Sequence, residues 1–280
     1  MISITLPSPA KINLFLHILD RRDDGYHNLQ TLFQLLDCGD QLSFTANKNS
    51  DINVLSHLDK VAAEDNLVYK AAKALQQATG CQWGCDIELE KKLPMGAGLG
   101  GGSSNAATTL VALNDLWQCG LTLDELANIG CHLGADVPVF VKGKTAFAEG
   151  IGEQLTPIEL KETWYLIITP KINISTKEIF SHSELTRNAP AIKIRALPKV
   201  QYRNDCQSVV EKLYPQVKQA IGWLKPFGSP LMTGTGASVF CPFDSEEEAK
   251  QVLKQVPDSW NSFVAQGVNQ SPLHKQLKNL

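Results

Sequence analysis

The sequence predicts an α+β fold divided into two domains, residues 1–157 and 158–280. Three observations carry that expectation. Strand-like and helical runs follow one another along the chain without the regular parallel βαβ series that a doubly wound sheet needs. A glycine-rich loop, residues 94–104, sits between a patterned strand and a patterned helix. Gly150-Ile-Gly152 and the polar residues 159–163 then mark a boundary close to residue 157, beyond which strands with helices over one face suggest two layers.

Strands are predicted over residues 2–6, 10–19, 31–36, 41–46 and 52–56. Asp65 or Asn66 can cap a helix that runs to about Thr79 and stops at Gly80. Cys85, Ile87 and Leu89 alternate with Asp86, Glu88 and Glu90, so 85–91 reads as a half-buried strand. Past the glycine loop, Ala106, Leu110, Leu113 and Trp117 recur at the spacing of an amphipathic helix, with Ser103 or Ser104 as its natural N-cap. Thr122 and Glu125 have capping-box spacing, which starts a further helix near Leu123. Residues 144–149 form the last strand of the first half. The second half reads as a strand at 164–169, an irregular stretch at 186–204 containing two prolines, and a helical segment at 207–224. A glycine turn, Gly234-Thr-Gly236, then leads into a strand at 238–243, a helix at 246–256 and a strand at 260–265.

Composition narrows the function classes. Apolar residues at 43% and charged residues at 20% describe a chain that can bury a sizeable core. A net charge of −3 gives no electrostatic case for nucleic acid as a partner. No run approaches the ~18 apolar residues of a membrane span, so no membrane role is expected. Met-Ile-Ser-Ile-Thr-Leu-Pro begins directly with strand alternation and lacks the charged n-region and apolar core of a signal peptide, so the expected location is the cytoplasm. Seven cysteines, an odd count, lie scattered through apolar stretches and are expected as buried reduced thiols. Cys81 and Cys85 are not a C-x-x-C pair, no second pair completes a zinc set, and no metal site is predicted. The sequence carries no indication of oligomeric state.

Chemistry concentrates in the loop Pro94-Met95-Gly96-Ala97-Gly98-Leu99-Gly100-Gly101-Gly102-Ser103-Ser104. Its glycines remove side chains where backbone N–H groups could close around an anion, and the helix behind it favours negative charge through its dipole. It lacks the Gly-x-x-x-x-Gly-Lys-Ser/Thr of a P-loop, which leaves a nucleotide-phosphate site of another kind. On the first long strand, alternation places Ile12, Leu14, Leu16 and Ile18 on one face and Lys11, Asn13, Phe15 and His17 on the other. Lys11 is either a solvated strand-end charge or, with Asn13, part of a polar patch facing a cleft. Asp23-Asp24-Gly25 makes a turn that can present Tyr26 and His27 outward, where a tyrosine can stack on a base and a histidine can bond its edge. Asp136 precedes an apolar run with a proline and reads locally as a cap or turn residue. Close to a lysine and a phosphate site, such a carboxylate could deprotonate an attacking hydroxyl.

These segments, in this order, resemble the GHMP kinase superfamily, named for galactokinase, homoserine, mevalonate and phosphomevalonate kinases. The glycine loop is similar to its central ATP-binding motif, and Gly234-Thr-Gly236-Ala to its C-terminal glycine motif. Pro-Ser-Pro-Ala-Lys11-Ile-Asn13-Leu, Asp-Gly-Tyr26-His27 and Gly-Ala-Asp136-Val-Pro narrow the resemblance to a branch whose alcohol substrate carries a cytidine diphosphate. The resemblance runs from about residue 6 to Ser271-Pro-Leu-His. It implies a ribosomal protein S5 domain 2-like N-terminal domain, a ferredoxin-like C-terminal domain and a site in the cleft between them. It also implies roles: Lys11 and Asp136 catalytic, residues 94–104 cradling ATP phosphates, and Asn13 and Thr176 near the reacting end of the substrate. Tyr26 and Phe180 would sandwich the cytosine, and His27 would hydrogen-bond it. ATP is the implied co-substrate, with Mg²⁺ carried in on it, and the implied partners are small molecules only.

Overall fold

The computed structural model describes residues 3–56 and 65–279. The strand expected from residue 2 therefore starts, at Ile2, outside the described residues. The first two strands are far longer than the alternation suggests. β1 (Ser3–Arg21) and β2 (His27–Asn47) form one antiparallel hairpin that absorbs the four short strands expected between 2 and 46. Its turn is the Asp-Gly turn read from the sequence, with Gly25 at φ 88°.

β1 does not keep one alternation. Asn13 pairs with Phe33 but Leu16 pairs with Thr31, so one extra residue of β1 is accommodated between them. A bulge of this kind flips the parity of every residue beyond it. Leu16 therefore joins Lys11 and Asn13 on the cavity side, while Phe15 packs in one cluster with Ile12 and Leu14. His17 is turned away from the cavity and is 2% exposed.

β3 (Ile52–Ser56) pairs parallel with β4 (Gly84–Glu90), and β4 pairs antiparallel with β2. Between them runs α1 (Leu67–Thr79), capped by the Asn66 side chain and stopped by Gly80 in the left-handed conformation, as the sequence predicts. α2 (Gly101–Leu116) begins earlier than expected. Gly100, at φ 72°, occupies the cap position, with no side-chain cap from Ser103 or Ser104. Nor is α2 amphipathic: Ser104 through Leu113 are all buried, because helices and sheet enclose it on every side. α3 (Leu123–Cys131) opens on the Thr122–Glu125 capping box, and α4 (Val137–Lys142) follows Asp136. β5 (Ala146–Glu149) and β6 (Gln154–Pro157), the latter not foreseen, close this half.

The second half contains β7 (Trp164–Pro170), α5 (Thr176–Ser181), a 3₁₀ turn (Ile194–Lys199), α6 (Gln207–Leu213) and α7 (Pro215–Leu224). The single helical segment expected at 207–224 is two helices because Tyr214 precedes Pro215, and the proline ring pushes it out of the helical region, to φ −128° and ψ 85°. β8 (Leu231–Met232), β9 (Val239–Phe243), α8 (Glu246–Leu253), β10 (Trp260–Val268) and α9 (Pro272–Leu277) complete the chain. The main strand path is β3-β4-β2-β10-β7-β9-β8, so β10 joins the two halves through Gly267 and Val268 on β2.

Three apolar clusters follow from this layout. One lies beneath α1–α4, and a second beneath α6 and α7, to which β1 lends Leu16 and Ile18. The third fills the junction, with Phe15, Leu32, Ala97 and Leu99 against Ile167, Phe240 and Ala265. Of the seven cysteines, Cys85, Cys206 and Cys241 are buried, but Cys38, Cys81, Cys119 and Cys131 are only half-buried, which corrects the expectation of uniform burial. Among the described residues no helix is long and apolar enough to cross a membrane.

Candidate active site

A cavity of about 1090 Å³ opens where the glycine loop, the β1–β2 hairpin, the start of α4 and the segment around α5 meet. Its floor is the glycine loop. Gly96, Gly98 and Gly100 take left-handed dihedrals at φ 62°, 76° and 72°. The intervening Ala97 and Leu99 drive their side chains into the junction core. The alternation fixes the loop: buried side chains anchor every second residue, and left-handed glycines turn the backbone between them.

Two positions admit only glycine for steric as well as dihedral reasons. A Cβ on Gly98 would lie 2.3 Å from the Thr233 carbonyl oxygen, and one on Gly100 would lie 2.8 Å from the Phe140 ring. Lys11 N–H bonds the Leu99 carbonyl at 3.0 Å, and Ser238 N–H bonds that of Ala97 at 3.1 Å. The loop is thus stitched to β1 on one side and to the β8–β9 turn on the other. The Ser104 N–H is spent on the Gly100 carbonyl, so the amides of Gly101, Gly102 and Ser103 are the free first-turn donors of α2. Pro94 through Ser103 all line the cavity. Ser104 does not: it is fully buried, 2.9 Å from the Ser8 hydroxyl.

Lys11 stands beside this floor. The residue is 2% exposed, and its ammonium lies 3.2 Å from Asp136 Oδ2, donates to Asn13 Oδ1 at 2.6 Å and sits over the Phe33 ring, 5.3 Å from its centroid. Asn13 in turn donates from Nδ2 to Thr31 at 2.9 Å, and its backbone N–H bonds the Thr233 hydroxyl at 2.9 Å. The polar patch that the sequence left open beside a solvated charge is therefore the one formed. Asp136 occupies the cap position of α4 but makes no side-chain cap bond, and a third of its side chain faces the cavity. A carboxylate not spent on capping, next to an ammonium and a helix N-terminus, can take a proton from a hydroxyl while the ammonium faces a phosphoryl group.

At the other end stand Tyr26, 60% exposed, and His27, 6% exposed. The hairpin turn presents Tyr26 outward as expected, whereas His27 is drawn inward. Its ring lies 5.2 Å from that of Phe180, at 32°, and its Nε2 accepts from Arg187 Nε at 3.0 Å. Burial, first, and the Arg187 charge hold the His27 pKa below its ordinary value. Phe180 and Thr176 belong to α5 and line the same cavity, with the Thr176 hydroxyl 3.0 Å from that of Thr235.

Sequence reasoning missed several contributors. Thr233 is fully buried and bonds β1 through Asn13 and the glycine loop through the Gly98 carbonyl (3.1 Å). Lys91 pairs with the enclosed Asp40 and lies beside Gly101, while Asn66 and Leu67 form the wall beyond α2. Arg187 lay in the stretch read as irregular. Only Thr233 had a local signal, its place next to the Gly234-Thr-Gly236 turn.

Comparison with known proteins falls on the same elements. Residues 66–144 match the GHMP kinases N terminal domain and residues 189–262 the GHMP kinases C terminal domain. The 4-diphosphocytidyl-2-C-methyl-D-erythritol kinase of Pseudomonas aeruginosa (strain LESB58) is 52% identical over 100% of this chain and 99% of its own. The chain belongs to the GHMP kinases. The like-named protein of Vibrio cholerae serotype O1 (strain ATCC 39541 / Classical Ogawa 395 / O395) is 54% identical to this GHMP kinase, over 97% of this chain and 93% of its own. A crystal structure of 4-(cytidine 5'-diphospho)-2C-methyl-D-erythritol kinase superposes with a TM-score of 0.81 at 30% identity, covering 95% of this GHMP kinase and all of that chain. The two matched segments contain the glycine loop, Asp136 and the 234–236 turn, whereas Lys11, Asn13, Tyr26 and His27 precede them.

Proposed function

We propose that this kinase transfers the γ-phosphoryl group of ATP to the 2-hydroxyl of 4-diphosphocytidyl-2-C-methyl-D-erythritol, giving the 2-phosphate and ADP, in the non-mevalonate route to isoprenoid precursors. The observation that carries the reading is the Lys11–Asp136 pair at 3.2 Å, set in one cavity with the free amides of α2 and the Tyr26–His27–Phe180 group. A phosphate floor, a proton acceptor and a place for a base are what that reaction needs, and the names of the full-length relatives agree.

In this reading the ATP phosphates lie on residues 94–103, against the first-turn amides of α2, with the nucleoside toward Asn66, Leu67 and Lys91. Asp136 accepts the proton of the 2-hydroxyl as it attacks. Lys11 stabilises charge on the moving phosphoryl group, and Asn13 and Thr176 hold the reacting end of the substrate. Tyr26 and Phe180 flank the cytosine, and His27 bonds it. No covalent enzyme intermediate is required, because positioning and electrostatics carry phosphoryl transfer. Mg²⁺ enters with ATP as part of the co-substrate. The carboxylate beside the glycine loop, Asp136, is already paired to Lys11, which suits a cation that keeps phosphate oxygens and waters as ligands. The chain divides near residue 157, between β6 and β7, and works as a cytoplasmic enzyme on small molecules.

Purified protein with Mg-ATP is expected to release ADP in the presence of 4-diphosphocytidyl-2-C-methyl-D-erythritol, and not with mevalonate or homoserine. Turnover of one of those alcohols instead would remove the cytidine roles from Tyr26, His27 and Phe180.

A further inference from the structure

Arg187 lies on the irregular strap that follows α5, outside both the glycine loop and the Lys11–Asp136 pair. Its guanidinium has no carboxylate partner among the described residues. Its hydrogen bonds run to His27, to the end of α5 and to its own strap. Nε donates to His27 Nε2 at 3.0 Å. Nη2 donates to the Phe180 carbonyl at 2.8 Å and to that of His182 at 2.9 Å, and Nη1 donates to the Leu185 carbonyl at 3.1 Å. One rigid fork therefore holds the imidazole on β2, 160 residues away in sequence, and the backbone of the phenylalanine on α5.

The chemistry of the contact is directional. Arginine has donors only and does not deprotonate in proteins. The His27 nitrogen that faces it must therefore offer a lone pair, so Nε2 carries no hydrogen. A neutral imidazole has one N–H, and it must then be on Nδ1. Among the described residues no side chain or backbone group bonds Nδ1, so that nitrogen is left for a ligand. We propose that Arg187 is a positioning residue that fixes His27 as the neutral Nδ1–H tautomer and sets its ring against Phe180, so that the cavity binds the base with a preset donor. The role rests on the reading of this end of the cavity as a base site. The charged groups facing His27 are Arg187 on the strap and Arg21 and Asp20 at the end of β1, with the apolar Phe180 on α5. Burial and both arginines work against protonation of the ring, and Asp20 alone works for it.

The test reads the ring directly. In the native protein without ligand, ¹⁵N-detected NMR of His27 is expected to show Nδ1 protonated and Nε2 bare. Titration should give a pKa below the ordinary 6.5. Arg187→Ala is expected to release the ring into a mixture of tautomers and raise its pKa. It should also weaken binding of the probe cytidine 5′-diphosphate roughly 10-fold, the scale of one broken polar contact, with ATP affinity unchanged. Arg187→Lys retains the charge without the fork and should fall between the two, and it carries the same readings if the alanine variant does not fold. A purely structural strap residue would lower the melting temperature but leave the His27 tautomer and pKa as they were, which would overturn the proposal. Native His27 found protonated on Nε2 would overturn it as well. If the native protein binds ATP but not cytidine 5′-diphosphate, while His27 keeps the Nδ1–H tautomer, the base-site reading fails and the positioning role falls with it.

Discussion

Asp136 and Lys11 are unequal partners. Lys11 is enclosed, with its ammonium shared between Asp136, Asn13 and the Phe33 ring, whereas the Asp136 side chain keeps a third of its surface toward the cavity. In the proposed reaction the more exposed carboxylate is the group that accepts the proton of the substrate hydroxyl, and its loss would remove that acceptor. Asp136→Asn keeps shape and volume, and it is expected to lower kcat by about 10²–10⁴. Lys11→Ala should cost somewhat less, about 10²–10³, the range for losing one preorganised donor. Steady-state ADP release by the two variants, checked for folding by circular dichroism, decides it. Turnover near the native rate in Asp136→Asn would assign the proton elsewhere.

The glycine loop makes the same point for elements. Its density of glycine was plain in the sequence, as were the Asn66 cap, the Gly80 stop and the Thr122–Glu125 box, because each depends on residues within a turn of one another. What stayed hidden depends on distant partners. The bulge between Asn13 and Leu16 exists because β1 must pair with β2 while sending Leu16 to one side and His17 to the other, and alternation within β1 alone cannot reveal it. The burial of Ser104 is set by Ser8 and that of α2 by the helices around it, whereas local spacing suggested a cap and one apolar stripe. Arg187 was invisible for the same reason, since its meaning lies in His27 and Phe180. The site itself was legible as motifs but not as geometry. Gly98 tests how tightly the elements are joined, because its missing Cβ makes room for the Thr233 carbonyl at 2.3 Å. Gly98→Ala meets both that clash and a left-handed dihedral worth about 1–2 kcal/mol. The variant is expected to lose most ATP affinity in calorimetric titration and to melt earlier. Unchanged ATP binding would mean that the loop can separate from the β8–β9 turn without cost.

At the scale of the whole molecule, the two halves share their cores: Leu16 and Ile18 of β1 pack with α6 and α7, while Val268 and Leu273 near the C-terminus pack beneath α1–α4. Unfolding one half should therefore expose the other, and buried titratable groups in either half report on a single transition. Three histidines are so placed. His17 is buried with neither ring nitrogen partnered, His274 is half-buried against Gly143 with its enclosed Nε2 unpartnered, and His27 is held by Arg187. In each, burial is the first cause that lowers the pKa below 6.5. A lowered value means that the unfolded chain binds more protons than the folded one once the pH drops toward 6.5. Stability is then fully present above that pH and is lost progressively as the pH falls through 6.5 toward the folded values. The carboxylates with displaced values, Asp37 raised and Asp24, Glu125 and Glu184 lowered, titrate from reference values of 3.8–4.5 and leave the window above pH 5.5 mainly to histidine. The melting temperature is expected to fall between pH 7.5 and pH 5.5, by roughly 2–4 °C for each kcal/mol lost. His17→Phe, which removes the two unpartnered nitrogens beside Phe15, should flatten part of that slope. Calorimetry at both pH values checks this, and a melting temperature that is level across the window would show that the three rings accept protons without leaving the fold.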